Sequence, residues 1–228
     1  MVDNKQILVS LVKDHFGSRI ENVNGDLDIV TIELSANYLL EVGTVLRDEP
    51  SFKFELLLDI CGVDYLEYGV NHWRTEETTN TGFSRGYNGS QLKQTIQWSK
   101  PRFAAVYHLL SITNNHRLRL KVYVDGEPPV VPSMITIWKS ADWYEREAFD
   151  LFGIIFDGHP DLRRLLTDYG FVGHPFRKDF PLVGEVELRY DAAQQRCIYE
   201  PVDIQSRVLV PKVIRIDNRY EKCEEKNG

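Results

Sequence analysis

A chain of 228 residues is long enough for one sizeable core, or for one domain with appendages. Hydrophobic residues at 43% and charged residues at 27% are the balance of an ordinary folded domain, and a net charge of −7 argues against a general phosphate-binding surface and against nucleic acid as a partner. No apolar run approaches the roughly 20 residues needed to span a bilayer, and the first residues mix Asp3, Lys5 and Lys13 with apolar side chains and lack a signal-peptide core, so the expectation is a cytoplasmic protein that reaches a membrane only through partners.

Residues 4–16 carry Ile7, Leu8, Leu11, Val12, His15 and Phe16 at helical spacing before Gly17, which predicts an amphipathic helix with a glycine stop. Asp28 to Leu34 alternates and is rich in β-branched residues, the pattern of a strand. A second helix begins near Ser35 or Asn37, uses Tyr38, Leu39, Val42, Val45 and Leu46, and ends before Pro50. Phe54 to Ile60 is a predominantly apolar run, consistent with a strand buried on both faces.

Residues 71–101 interrupt this plan. They are rich in Thr, Asn, Gly, Ser, Glu and Arg without periodicity, and read as a long mobile insertion between strands, with Trp73, Phe83, Tyr87 and Trp98 scattered through it. A hairpin follows. Phe103–Ile112 and Arg117–Val124 flank Asn114-Asn115, a pair that tolerates the positive φ of a tight turn. In its second strand Leu118, Leu120, Val122 and Val124 face one way, toward helices; Arg117, Arg119, Lys121 and Tyr123 face the other.

Pro128, Pro129 and Pro132 lead into a helix at 143, for which Asp142 is the expected N-cap and Glu145 its capping-box partner. Tyr144, Ala148, Leu151 and Phe152 form the packing face, Glu145, Arg146 and Asp150 lie off it, and Gly153 stops the helix. The chain then becomes a series of turns at Gly158, Pro160, Gly170, Gly173 and Pro175, in which acids, bases, imidazoles and aromatics alternate up to Pro181. After that, Tyr190-Asp191, Tyr199 to Val202 and Val208 to Pro211 read as extended segments with proline joints, a tail that cannot build a core alone and belongs on another subunit.

Little in this stretch points to chemistry of its own. Cys61, Cys197 and Cys223 sit in no CxxC or Cys/His spacing, which disfavours a disulfide framework and a local iron–sulfur or zinc site, and leaves three reduced, mostly structural thiols, Cys61 in the core. His159 and His174, with Asp150, Asp157, Asp161 and Asp168, could be assembled into a metal site or a stand-alone hydrolase, but both imidazoles precede prolines and no HxH or HExxH is present. Ser133, Ser140 and Thr167 lie in no nucleophile elbow, and no phosphate-cradling glycine motif occurs. Arg163, Arg164, Arg177 and Lys178, interleaved with Phe156, Tyr169, Phe171, Phe176 and Phe180, fit a protein interface better, since bidentate arginine pairs fix register and aromatics anchor.

The run Glu145-Arg146-Glu147-Ala148-Phe149-Asp150-Leu151-Phe152-Gly153-Ile154 resembles the signature of the 30 kDa subunit family of respiratory complex I, the proton-pumping NADH:quinone oxidoreductase. Gly158-His159-Pro160-Asp161-Leu162-Arg163-Arg164-Leu165-Leu166, Asp168-Tyr169-Gly170-Phe171 and Gly173-His174-Pro175-Phe176-Arg177-Lys178-Asp179-Phe180-Pro181 extend the resemblance, with Cys61 to Tyr65 upstream and Arg189-Tyr190-Asp191 downstream. The resemblance covers most of the chain outside residues 71–101, which look longer and more polar than is usual in the family.

It implies a single α/β (α+β) domain with a mixed or antiparallel sheet packed by helices: a core over 1–152 carrying the insertion, an ordered turn-rich segment over 153–189, and an extended tail over 190–228 wrapped on a neighbour. It implies a place in the peripheral arm on the cytoplasmic side of a bacterial inner membrane, chiefly against the large quinone-site subunit. The complex carries electrons from NADH through FMN and iron–sulfur clusters to a quinone and couples this to proton translocation; this chain would bind none of those centres and would have no catalytic residue. Glu145, Arg146, Asp150, His159, Asp161, Arg163, Arg164, Asp168, Tyr169, His174, Arg177, Lys178 and Asp179 are the expected interface and signature residues. The alternative scaffold role is in a related membrane hydrogenase-type complex.

Overall fold

Helix α1 (Asn4–Phe16) lays Leu8, Val12 and Phe16 along one stripe, and all three are buried. This computed structural model describes residues 4–26, 28–66, 68 and 98–204. Strands β1 (Ile20–Asn24) and β2 (Val30–Leu34) pair antiparallel, and helix α2 (Leu39–Asp48) buries Leu39, Val42 and Leu46 after a short 3-10 turn over Ala36–Tyr38. Strands β3 (Leu56–Asp64), β4 (Phe103–Ser111) and β5 (His116–Val124) run antiparallel to one another in turn, and β2 joins β5 in parallel. The result is a mixed five-stranded sheet in the order β1-β2-β5-β4-β3, the fold class expected from the sequence.

Register explains which side of the sheet is core. Leu118, Leu120, Val122 and Val124 of β5 lie across from Leu109, Tyr107, Ala105 and Phe103 of β4, and all eight are buried. The opposite face carries Arg117, Arg119, Lys121 and Tyr123, as their alternation required. The turn uses Asn115 at φ 51, the backbone that an asparagine supplies there.

Strand β3 departs from the fully buried strand that its apolar run suggests. It is an edge strand of the sheet, with an irregularity between Leu57 and Asp59, and Leu56 and Leu58 remain exposed at 40% and 41%. An edge strand of an antiparallel sheet meets the core on one face, so its second apolar set does not become interior.

Helix α3 (Ala141–Phe152) starts two residues earlier than expected, and Ser140 precedes it without a side-chain cap bond. The Asp142–Glu145 capping box does not form, because Glu145 is wholly buried and bonded to residues 133 and 134 instead. Glu145, Arg146 and Asp150 are all buried, although they lie off the apolar face, since loops cover the helix on that side too. Tyr144, Ala148 and Phe152 join the core cluster as expected. Gly153 ends the helix at φ 74, its amide donating to Phe149 O at 2.8 Å. Beyond it, β7 (Ile155–Asp157) pairs in parallel with β6 (Val130–Pro132), two short strands that the prolines conceal in the sequence.

The chain divides into two units, one holding Met1–Leu66 and Ser99–Glu185 and the other Glu67–Trp98 and Val186–Gly228. The described part of the second unit is mainly an antiparallel ribbon of β8 (Val186–Asp191) and β9 (Arg196–Pro201). The start of the tail is therefore folded back on itself, with Asp191 Oδ1 accepting the Ala193 amide at 2.8 Å in the turn. Most of the expected insertion, residues 71–97, and the Val208–Pro211 segment lie outside the described residues. Among the described residues no helix is long and apolar enough to cross a membrane.

Gly62 shows how closely α3 sits on β3: a Cβ there would lie 2.4 Å from Cδ2 of Phe152. Gly62→Ala is expected to destabilise the chain by about 1–3 kcal/mol through overpacking, read as a lower denaturant midpoint with an unchanged slope.

Candidate functional site

Asp150 sits on the last turn of α3 with a fully buried carboxylate. Its Oδ2 accepts the amides of Leu165, Leu166 and Thr167 at 2.9, 2.7 and 2.9 Å. Its Oδ1 accepts the Thr167 hydroxyl at 2.5 Å and Arg164 Nη1 at 2.9 Å. Burial alone would raise its pKa, but the Thr167 hydroxyl and the three amides outweigh burial and hold it at about 2. A helix C-terminus is a poor place for a negative charge. The donors of residues 164–167 make the position tenable, and in doing so they fix the loop.

The second half of the turn-rich segment caps the same helix end. His174 Nδ1 donates to Asp150 O at 2.9 Å, the Phe176 amide to Leu151 O at 3.0 Å, and Arg177 Nε to Phe152 O at 2.7 Å. These are carbonyls that a helix end leaves without intrahelical partners. Burial lowers the His174 pKa, with Arg177 and Arg164 adding to the effect, so the imidazole is neutral and serves as a donor. Arg164 ties the halves together, since Nη2 also donates to Gly173 O at 3.0 Å.

A third anchor comes from the sheet. The Asp64 carboxylate, buried at the end of β3, accepts Arg102 through both oxygens at 2.9 and 2.8 Å and the Lys178 amide at 2.9 Å. Burial raises its pKa and is outweighed by the Arg102 bonds and the amides of Lys178 and Leu66, for a net lowering. Asp179 reaches the same Arg102 at 3.0 Å.

The expected site residues thus fall into two groups. Asp150, Arg164, His174, Arg177 and Asp179 bond within the chain, as does Arg146, whose Nε donates to Arg163 O at 3.3 Å and whose guanidinium lies over the Trp143 ring. His159, its ring buried, bonds Asp142 O through Nε2 at 3.2 Å and accepts the Asp161 amide on Nδ1 at 3.1 Å. Asp161 pairs with Arg163 at the surface, and Asp168, Tyr169 and Lys178 are exposed. Around them stand Leu166, Tyr169, Val172, Phe176 and Leu182, all more than half exposed, with Tyr169 at 99%. The segment is thus bonded to α3 and to the end of β3 while these large apolar side chains remain exposed.

Among the described residues His159 and His174 are not gathered with aspartates into a group of three candidate metal ligands. Among the described residues the one group of three or more candidate ligands within 4.8 Å of one another is Asp59, Cys61 and His108, on the outer sheet face. Cys61 is thus half-buried beside the core and not inside it, and Cys197 is exposed in the ribbon. In that cluster Cys61 Sγ donates to Asp59 Oδ2 at 2.7 Å, and burial pushes the thiol up to about 12. Arg119 Nε donates to His108 Nε2 at 3.0 Å, which leaves the imidazole proton on Nδ1, facing Asp59. The thiol and His108 Nε2 are already engaged by hydrogen bonds within the chain, and Nδ1 keeps its proton, which disfavours these atoms as ligands.

The structure adds Asp64, Arg102, Thr167 and Ser133 to the residues that build this site. Asp64 is legible in the sequence only as part of the Cys61–Tyr65 motif. Thr167 and Ser133, which lie in no nucleophile elbow, seat buried carboxyl groups.

The chain matches the family model described as "Respiratory-chain NADH dehydrogenase, 30 Kd subunit" over residues 32–186. A relative from Coxiella burnetii, named as an NADH-quinone oxidoreductase subunit, is 72% identical over 224 residues, 98% of this chain and 99% of that protein. Another of the same name, from Legionella pneumophila, is 56% identical over 215 residues, 94% of each chain. A chain of the solved membrane-bound sulfane sulfur reductase, an archaeal respiratory membrane complex, superposes with a TM-score of 0.56 at 17% identity over 79% of this chain and 88% of its own, a likeness of fold.

Asp150 offers a direct check. Asp150→Asn removes the charge from beneath Arg164 and is expected to cost about 3–5 kcal/mol in unfolding free energy. The Asp150 pKa is depressed from 3.8 to about 2, so its contribution is complete above pH 3.8 and lost as the pH falls toward 2. The variant should therefore lack that part of the acid limb of the stability curve. The chain belongs to the 30 kDa subunit family of respiratory-chain NADH dehydrogenase and is a non-redox subunit of the peripheral arm of NADH:quinone oxidoreductase.

Proposed function

We propose that this chain docks against the large quinone-site subunit of the complex, at the cytoplasmic face of a bacterial inner membrane, and holds the quinone-reducing subunits in a fixed arrangement. The complex would carry electrons from NADH through FMN and iron–sulfur clusters to a ubiquinone-type acceptor; the rate along such a path depends on fixed spacing between centres. This chain contributes geometry to that path and carries no redox step itself.

The observation that carries the reading is the rim of Leu166, Tyr169, Val172, Phe176 and Leu182 on a segment whose backbone is bonded to α3 and β3 from beneath. Large apolar side chains exposed together on a rigid support are what an interface requires, and the rigid support lowers the entropy lost on docking. The ribbon supports it independently. Val186, Leu188 and Tyr190 face the same way as their cross-strand partners Pro201, Tyr199 and Cys197, and all six are exposed. A two-stranded ribbon with one bare apolar face is marginal without a covering surface.

Tyr169→Asp combined with Leu182→Asp should leave the circular dichroism of the free chain unchanged and lower its recovery in the assembled enzyme by roughly tenfold or more on native gels of mildly solubilised membranes. Ending the chain after Glu185 should give the same loss while the first unit stays folded. Co-migration of either variant with full NADH:quinone reductase activity would contradict the docking role.

A further inference from the structure

Glu145 is a part of the signature that the docking role leaves unexplained. It lies on the second turn of α3, its side chain fully buried, and both oxygens are engaged from residues 133 and 134. Ser133 Oγ stands 2.5 Å from Oε2, and the Met134 amide donates to Oε1 at 2.6 Å. Ser133 Oγ itself accepts the Ile135 amide at 3.3 Å. No cation bonds this carboxyl among the described residues, in contrast to Asp150 and Asp64, each of which has an arginine.

The groups around it offer no compensation. On its own helix, Asp142 acts on Glu145 as a like charge, and the neighbouring Arg146 bonds Arg163 O and lies over the Trp143 ring. From β4, Tyr107 brings a buried hydroxyl that has no hydrogen-bond partner among the described residues and that a charged Glu145 would further disfavour as a phenolate. From residues 133–135 come one hydroxyl and two amides, all neutral. A carboxylate in such a place carries a full charge against two neutral donors.

We infer that Glu145 is a proton-dependent lock: as a neutral acid it joins helix α3 to the 133–138 turn, and loss of its proton loosens that joint. In the acid form Oε2–H donates to Ser133 Oγ, which has a second lone pair for the Ile135 amide. When the proton leaves for solvent, the Ser133 hydroxyl turns to donate to Oε2, and the joint then holds an uncompensated charge. The turn it holds is connected to the sheet through Trp138, whose Nε1 donates to Phe54 O at 3.0 Å, so loosening would reach the β3 edge.

Burial raises the Glu145 pKa to about 7 against the bonds from Ser133 and Met134. A carboxyl raised on folding binds more protons folded than unfolded, so its contribution is greatest below 4.5 and is lost as the pH rises to about 7. His108, His116 and His174, shifted down from 6.5 by burial, act with the opposite sign, so the Glu145 effect is read by difference.

The test uses the full chain. Infrared spectra of the folded protein should show a protonated carboxyl band at pH 6 that fades by pH 9 and is absent from Glu145→Gln. In denaturant titrations the ratio of wild-type to Glu145→Gln unfolding constants should rise by up to about tenfold per pH unit from pH 5 to 7 and then level off. Tyr107→Phe, which leaves Glu145 in place, should retain the same pH dependence. A wild-type spectrum without a carboxyl band at pH 6, or parallel stability curves for wild type and Glu145→Gln, would overturn the lock. If Glu145→Gln does not fold, the wild-type band and its pH course decide alone.

Discussion

The buried Asp150 carboxylate, set at the wrong end of a helix for its charge, is the constraint on which the turn-rich segment depends. A negative group at a C-terminus is unfavourable and a buried one more so, and five donors from residues 164–167 are what it takes to hold it. A loop that must supply three consecutive amides to one oxygen has little conformational freedom left. The charge and the loop fix each other.

From that contact the rest of the segment follows in order. Arg164 reaches from Asp150 to Gly173 O, which places His174, Phe176 and Arg177 against the free carbonyls of the helix. Lys178 and Asp179 then close on Asp64 and Arg102 at the end of the sheet. Asp150, Arg164, His174 and Arg177 are engaged in bonds within the chain, while Leu166, Tyr169, Val172, Phe176 and Leu182 stay exposed beside the surface charges of Asp161, Arg163, Asp168 and Lys178. One short segment thus combines the bonds that order it with exposed apolar side chains available for the proposed docking.

Periodicity in the sequence is a good guide wherever one face of an element meets the core. Helix α1, helix α2 and the β4–β5 hairpin follow from spacing alone, down to the Asn115 turn. Strand β3 misleads because a run such as Phe54 to Ile60 looks the same at an edge as in the middle of a sheet. Helix α3 misleads for a different reason: Glu145 and Asp150 are interior because of loops covering them from elsewhere in the chain, and no local pattern encodes that cover. The density of charge, imidazole and proline in the signature is legible as a special structure. That much of it points inward, bonding the chain to itself, is not, since Asp64 and Lys178 lie 114 positions apart.

The central claim is that the segment is ordered by the chain itself before any partner arrives. Hydrogen exchange of the Leu165, Leu166 and Thr167 amides in the isolated chain tests it most directly. If the Asp150 contact organises the segment, these amides are protected to nearly the level of the β4–β5 strands, and Asp150→Ala releases them. If they exchange as freely as exposed loop amides in the isolated chain and gain protection only in the assembled enzyme, the partner imposes the order and the claim is contradicted.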